Sequence, residues 1–387
     1  MKRLFVLCLL LLSFSLGYSQ AITSLNFREW YNPDREIDFS IQVVKEANQL
    51  RAYYQFEAKQ LALNKYTLTW ERRDSFTQRE GTTLTIRDST NTQVGMQKHG
   101  MMLFDIPAKS WLLVAKVTNQ DSKISYTYFK VMEANYPVNG WLEENQERVA
   151  QKYITQNKEY VVKSANAETL FVSQYKNDFS AASPPFTDRN ANSDRFMFYD
   201  STFKISSGSS FVPTRPGLYL FQQDTNAATG FAFRCVNETY PKFSKIADLI
   251  EPLIFVTTED EYKELLNSNG DKMKFDKVIL DITRDKERAK TFMRNYYRRV
   301  ELANQYFSSY KPGWKTDRGM IYLIFGLPDE LSVNDGNEVW YYKTTRTRFT
   351  FVKSGSVYDP DNYVLLRDKR FMETWFSMVD LLRKSRF

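Results

Sequence analysis

Up to Val236 the apolar residues of this chain come in short runs separated by polar turns; after Pro241 they recur every three or four positions. A period of two lines one face of a strand and a period near 3.6 lines one stripe of a helix, so an all-α or all-β fold cannot accommodate both parts. In the first part, strand-like runs fall at 37–44, 50–58, 66–71, 82–87, 101–106, 111–117 and 124–132. Seven strands at that spacing predict a sandwich. The turn-rich stretch Asn135-Tyr-Pro-Val-Asn-Gly140 then reads as a boundary, placing a first β-sandwich domain at 20–137. A second β-rich domain is expected at 138–241, with strands at 159–163, 169–174, 195–205, 217–222 and 230–236.

Beyond Pro241, short helices are predicted at 243–254 and 259–266. A long amphipathic helix over 285–310 is marked by Ala289, Phe292, Tyr296, Val300, Ala303, Phe307 and Tyr310. Strands at 320–325, 338–342, 348–352 and 363–366 and a final helix over 369–384 complete an α+β domain at 242–387. The predicted fold class is therefore multidomain, with two N-terminal all-β sandwich-like domains followed by a C-terminal α+β domain.

The first residues read as a secretory signal peptide over 1–19. Lys2 and Arg3 precede an apolar run from Leu4 to Gly17, and Gly17 and Ser19 are small residues ahead of a cut before Gln20. The run is well short of the ~20 apolar residues of a membrane-spanning helix. The expected location is exported, in the periplasm or associated with the outer membrane. Once Lys2 and Arg3 leave with the leader, the net charge falls from +7 to +5. That mild excess, export and the lack of a nucleic-acid module exclude nucleic acid as an expected partner.

Of the two cysteines, Cys8 lies in the leader, so the mature chain has no intrachain disulfide and Cys235 is expected as a core thiol of the 230–236 strand. The single histidine, His99, sits in the polar stretch Gln97-Lys-His-Gly100 and is expected in a solvated loop. One histidine and one mature cysteine exclude zinc fingers, HExxH sites and Ser-His-Asp triads, and no phosphate-binding glycine pattern is present. No cofactor is expected. Asp188-Arg-Asn-Ala-Asn-Ser-Asp194 begins like a calcium loop, but Ser193 replaces the sixth-position glycine and Tyr199 the twelfth-position glutamate, so it reads as a polar turn. Asp359-Pro-Asp361-Asn362 reads as a turn before a strand.

Gly313-Trp314-Lys315-Thr316-Asp317 continues into Arg318-Gly, Gly326-Leu-Pro-Asp329-Glu and Glu338-Val-Trp-Tyr-Tyr342. This closely resembles the GWxTD domain of exported proteins of Bacteroidota and related bacteria, over about 243–387. The resemblance implies location and architecture and carries no established chemistry. Physically, Gly313 suits a sharp exit from the long helix, Trp314 a large apolar burial over the next strand, and Thr316 and Asp317 the satisfaction of backbone donors. Arg318 is expected to pair with Asp317 or with a carboxylate across the domain. The motif thus reads as a folding corner; alternatively Trp314, Thr316, Asp317, Arg318 and Asp329 line a binding pocket.

Lys286, Lys290, Arg294 and Arg298 step by four along the long helix, forming a basic ridge suited to an acidic partner or anionic lipid headgroups. Aromatic residues are abundant, and Trp70, Trp111 and Trp141 are the candidates for stacking on sugars. The leading expectation is a non-enzymatic interaction or scaffold protein of the cell envelope with a protein partner and possible peripheral membrane association. The alternatives are a glycan- or peptidoglycan-binding protein and a carboxylate-dependent hydrolase centred near Asp317 and Asp329.

Overall fold

The computed structural model describes residues 20–85, 92–187 and 197–385. The leader over 1–19, the calcium-like stretch beginning at Asp188 and the end of the 82–87 strand lie outside the described residues. Eight strands form the first sandwich: β1 (Ile37–Lys45), β2 (Gln49–Ala58), β3 (Tyr66–Arg73), β4 (Thr82–Thr83), β5 (Thr92–Val94), β6 (Gln97–Asp105), β7 (Trp111–Asn119) and β8 (Ser125–Met132). They make two antiparallel sheets of order β1-β2-β6-β5 and β4-β3-β7-β8. Strand β2 alternates buried and half-buried residues, which places Leu50, Ala52 and Tyr54 against Trp70, Trp111, Leu113 and Ala115 of the facing sheet. Strand β7 is apolar almost throughout because both its faces are covered. Leu113 and Ala115 point into the sandwich, while Leu112 and Val114 join the core of the C-terminal region. His99 departs from expectation. It lies in β6 opposite Gln55 and is partly buried, because the neighbouring strand continues the ladder through the polar stretch.

The second sandwich uses β9 (Gly140–Glu144), β10 (Glu147–Arg148), β11 (Tyr153–Thr155), β12 (Tyr160–Ser164), β13 (Thr169–Tyr175), β14 (Tyr199–Ser206), β15 (Ser210–Phe211), β16 (Gly217–Gln222) and β17 (Phe231–Val236). Sheets of order β10-β9-β12-β15 and β11-β17-β16-β13-β14 face one another, with β11 parallel to β17. The Phe221 and Phe231 rings stack at 4.8 Å in this core. Cys235 is fully buried there, as expected of a core thiol, and burial pushes it up to about 12.

The C-terminal region carries α1 (Ile246–Ile250), α2 (Glu259–Asn267), α3 (Lys272–Thr283), α4 (Lys286–Phe307), α5 (Asp317–Phe325), an antiparallel sheet of β18 (Glu330–Asn334), β19 (Asn337–Tyr342), β20 (Thr347–Lys353) and β21 (Tyr363–Leu365), and α6 (Phe371–Arg383). Helix α2 opens on a reciprocal cap between Thr258 and Glu261, and α4 on Asp285, whose side chain accepts from the Arg288 N–H at 2.9 Å. Phe292, Tyr296, Val300, Ala303 and Phe307 are buried along α4, the stripe predicted from their spacing. Helix α3 was not foreseen, although Phe275, Val278, Ile279 and Ile282 carry a helical spacing.

The predicted strand at 320–325 is instead part of helix α5. Every residue from Gly319 to Phe325 is buried, so the segment has no polar face from which to read a period. The local signal is Thr316, which caps the helix by accepting from the Gly319 N–H at 3.0 Å. Residues 22–31 complete this region from the far end of the chain. Ile22, Phe27 and Tyr31 enter its core, and the Phe27 N–H donates to the Leu331 carbonyl at 2.7 Å. Among the described residues no helix is long and apolar enough to cross a membrane.

Candidate functional site

The five-residue motif occupies the turn between α4 and α5, and backbone approach decides its glycines. A Cβ on Gly313 would lie 1.9 Å from the Ala303 carbonyl oxygen, and one on Gly319 would lie 1.8 Å from that of Gly313. Neither contact admits a side chain. Trp314 is 2 % exposed, stands edge-on to Phe255 at 6.0 Å, and donates its backbone N–H to Asn304 Oδ1 at 3.2 Å. Lys315 pairs with Glu251 at 2.8 Å, and Thr316 also donates to the Gly313 carbonyl at 2.7 Å. Asp317 Oδ2 accepts from the Leu365 N–H at 2.8 Å, and Oδ1 pairs with Arg367 at 2.5 Å, tying the start of α5 to the end of β21.

Arg318 finds its carboxylate across the domain. It pairs with Glu338 of β19 at 2.9 Å, lies 4.1 Å from the centre of the Tyr363 ring and donates to the Tyr31 hydroxyl at 3.0 Å. Tyr31 in turn donates to Glu338 Oε1 at 2.8 Å, and the Trp340 indole N–H donates to Oε2 at 2.9 Å. Burial and the nearby Glu338 push Tyr31 well above the usual phenol range. At the other end of α5, Arg299 donates to the Leu323 and Ile324 carbonyls at 3.0 and 2.9 Å, pairing carbonyls that the last turn of the helix leaves without an intrahelical donor.

The match found among known families coincides with this geometry. Residues 217–384 match the model of the GWxTD domain. The chain carries a GWxTD domain. Its matched part starts at β16, so the GWxTD domain as matched includes two strands of the second sandwich's larger sheet as well as the helices and hairpins that follow. No curated protein matches the chain.

Within the GWxTD domain, Trp314, Thr316, Asp317 and Arg318 of the predicted pocket are brought to one corner but are engaged internally. Trp314 and Thr316 are buried, and Asp317 and Arg318 are largely covered and paired to Arg367 and Glu338. Asp329 stands apart at the start of β18, where its carboxylate accepts from the Lys343 N–H at 2.7 Å. The basic ridge is exposed as a row on α4. Lys290 pairs with Glu287 at 2.8 Å and Arg298 with Glu301 at 3.2 Å, while Lys286 and Arg294 extend the row between and beyond them.

Two features escaped sequence reasoning. Asp361 gathers Lys130 of β8 at 2.7 Å, Lys353 of β20 at 3.3 Å and Lys152, between β10 and β11, at 3.9 Å. All three folded regions thus meet at one carboxylate. Burial alone would raise Asp361, but these lysines outweigh it and hold it well below the usual carboxylate range. The second is a cleft of about 450 Å³ between β1-β2-β6 of the first sandwich and β9-β10 of the second, lined by Tyr53, His99, Trp141 and Arg148 among others. The Arg148 guanidinium lies 4.2 Å from the centre of the Tyr53 ring and 5.1 Å from that of Trp141. Trp70 and Trp111 are buried in the first sandwich, so of the three tryptophans considered for sugar stacking only Trp141 faces the cleft. The acid pair of Asp359-Pro-Asp361 and the charged Glu338 within an apolar strand were the available sequence signals; a charge amid core residues demands a partner. No local signal ties Tyr31 to Glu338.

Proposed function

We propose that this is a non-enzymatic interaction or scaffold protein of the bacterial cell envelope, exported by a leader over 1–19 as in the Bacteroidota proteins its motif resembles. The observation that carries the reading is the Asp361 junction. Lysines from both sandwiches and from the C-terminal sheet converge there, so the three regions form a frame of fixed geometry. A fixed frame presenting a separate exposed row of charge is what a docking scaffold needs, because pre-set geometry lowers the ordering cost of association. The polar groups of the motif corner support the same reading, since their hydrogen bonds and ion pairs are directed inward.

The partner surface is the basic ridge of Lys286, Lys290, Arg294 and Arg298, and the partner presents an acidic face. The test is affinity purification of the tagged protein from gently crosslinked envelopes, with co-purifying species quantified by mass spectrometry. A near-stoichiometric protein partner that is lost with Lys286→Glu/Arg294→Glu supports the proposal. Recovery of the protein alone, or of the same partner by the charge-reversed variant, overturns it.

A further inference from the structure

We propose that β14 is the contact surface of a two-fold dimer, in which it pairs antiparallel with the β14 of a second copy about Thr202. This goes beyond the acidic partner assigned to the ridge on α4, and either can fail alone. Among the described residues, the edge strands longer than three residues are β1, β8, β14 and β18. Three of them are met from outside. The Lys45 N–H of β1 donates to the Val138 carbonyl at 2.7 Å, and the Thr127 carbonyl of β8 accepts from the Trp30 indole N–H at 3.1 Å. On β18 the Leu331 carbonyl accepts from the Phe27 N–H at 2.7 Å, and the Leu331 N–H donates to Asn26 Oδ1 at 2.9 Å.

Strand β14 has no such cover. The Ser207 N–H donates to the Glu168 carbonyl at 2.7 Å, and bonded pairs alternate along an antiparallel ladder. Ile205, Phe203 and Ser201 therefore bond to β13, while Thr202 and Lys204 direct their N–H and C=O groups away from the sheet. Among the described residues these four groups make no hydrogen bond. The register shift in the ladder with β13 falls before Ser201, so 201–206 form a continuous run. An open, regular edge of this kind is a template for another strand.

The sequence of β14 selects an identical strand as the occupant. Asp200 and Lys204 are equidistant from Thr202, so antiparallel pairing about Thr202 sets Lys204 opposite Asp200 of the second copy, and Asp200 opposite its Lys204. Directly opposite residues share a face, so the axis passes through a residue, and only an axis at Thr202 opposes these two charges. Lys204 makes no ion pair among the described residues; its Nζ lies over the Phe171 ring at 4.9 Å. Asp200 pairs through Oδ1 with Lys176 at 3.4 Å, which leaves Oδ2 for the facing lysine. On the other face Phe203, 40 % exposed, stacks on Phe211 at 6.4 Å. The same axis sets it diagonal to Phe203 of the second copy, within reach of an aromatic ring. Ladder, charge and apolar surface are thus self-complementary, the requirement of a two-fold contact.

Sedimentation equilibrium of the purified mature protein across the micromolar range tests this. A reversible monomer–dimer equilibrium is expected. Lys204→Glu, which sets two acidic residues opposite each other, should weaken it tenfold or more, and Asp200→Lys/Lys204→Glu should regain it. Both positions are exposed, so the variants keep the fold. Register is read by crosslinking single-cysteine variants with a short bismaleimide, Cys235 being buried. Thr202→Cys is expected to give crosslinked dimer because the residue opposes itself. Ser206→Cys is not, because its two copies stand four residues to either side of the axis, about 26 Å apart. A monomer at every concentration, an association indifferent to Lys204→Glu, or equal crosslinking of the two cysteine variants overturns the assignment. The first of these outcomes would leave the edge to an extended segment of another protein.

Discussion

Arg318 and Glu338 form an ion pair 2.9 Å long in which the glutamate side chain is 2 % exposed and the arginine 12 %. Tyr31, hundreds of residues earlier, supplies a hydrogen bond to Glu338 and receives one from Arg318, so the N-terminal segment is the third member of a closed network. The pair lies beneath the motif that names the domain and joins helix α5 to strand β19. Its satisfied geometry is the condition under which two buried charges are tolerated at all.

Removing either charge alone should therefore be severe. Arg318→Met or Glu338→Leu is expected to lower stability by about 3–5 kcal/mol, because each leaves the other charge buried without its partner. The double variant should recover a large part of that loss. Chemical denaturation of the four proteins as a double-mutant cycle checks it, and equal, additive losses would contradict the network.

Tyr31→Phe removes one hydrogen bond to a charged acceptor and leaves Glu338 with Arg318 and the Trp340 indole. A loss of about 2 kcal/mol is expected. Because the contact anchors the N-terminal segment, limited proteolysis should show faster cleavage within residues 20–35 in this variant than in the parent.

Gly319→Ala is expected to destabilise by more than about 3 kcal/mol, since the new methyl group would lie 1.8 Å from the Gly313 carbonyl oxygen, a packed backbone atom that cannot swing aside. Gly208→Ala is the contrast: its Cβ would meet open space, and only its positive φ opposes the change, at about 1 kcal/mol. Thermal unfolding of the two variants side by side should separate them clearly, and similar midpoints would refute the corner as a close-packed turn.

Asp361 ties pH to stability. Its folded-state value is depressed by Lys130, Lys152 and Lys353 despite burial, so its contribution is fully present above the unfolded carboxylate value of about 3.9 and is lost as pH falls towards the folded one. Stability measured by urea denaturation should drop below about pH 4, and Asp361→Asn should flatten that drop while lowering stability at neutral pH. An unchanged acid limb in the variant would exclude Asp361 as the titrating group.

Cys235 should behave as a silent thiol. With the side chain fully buried and pushed up to about 12, Ellman's reagent is expected to label none of it in the folded protein and one equivalent per chain after denaturation of the mature form. Rapid labelling without denaturant would show that the second sandwich opens.

Much of the architecture was legible in the sequence, because strand β2 and helix α4 write their burial into a local period. Each buries one face, and neighbours two, three or four residues apart report it. The motif was legible as a corner for a similar reason: Thr316 and Gly319 act within a few residues of themselves, although Asp317 reaches across to Leu365 and Arg367. What failed was the segment Met320–Phe325, which is buried on every side and so carries no period; beyond the Thr316 cap, packing against α4 and the sheet decides that it is helical. Nor does any local pattern place Tyr31 against Glu338, collect three lysines around Asp361, or set Trp141 and Arg148 in the cleft between the two sandwiches. Those residues lie far apart along the chain, and their energies depend on shared burial and on partners that exist only once the three regions have packed. Local periodicity determined the elements of this protein; long-range desolvation and pairing decided which of its charged and aromatic residues hold the frame and which line its clefts.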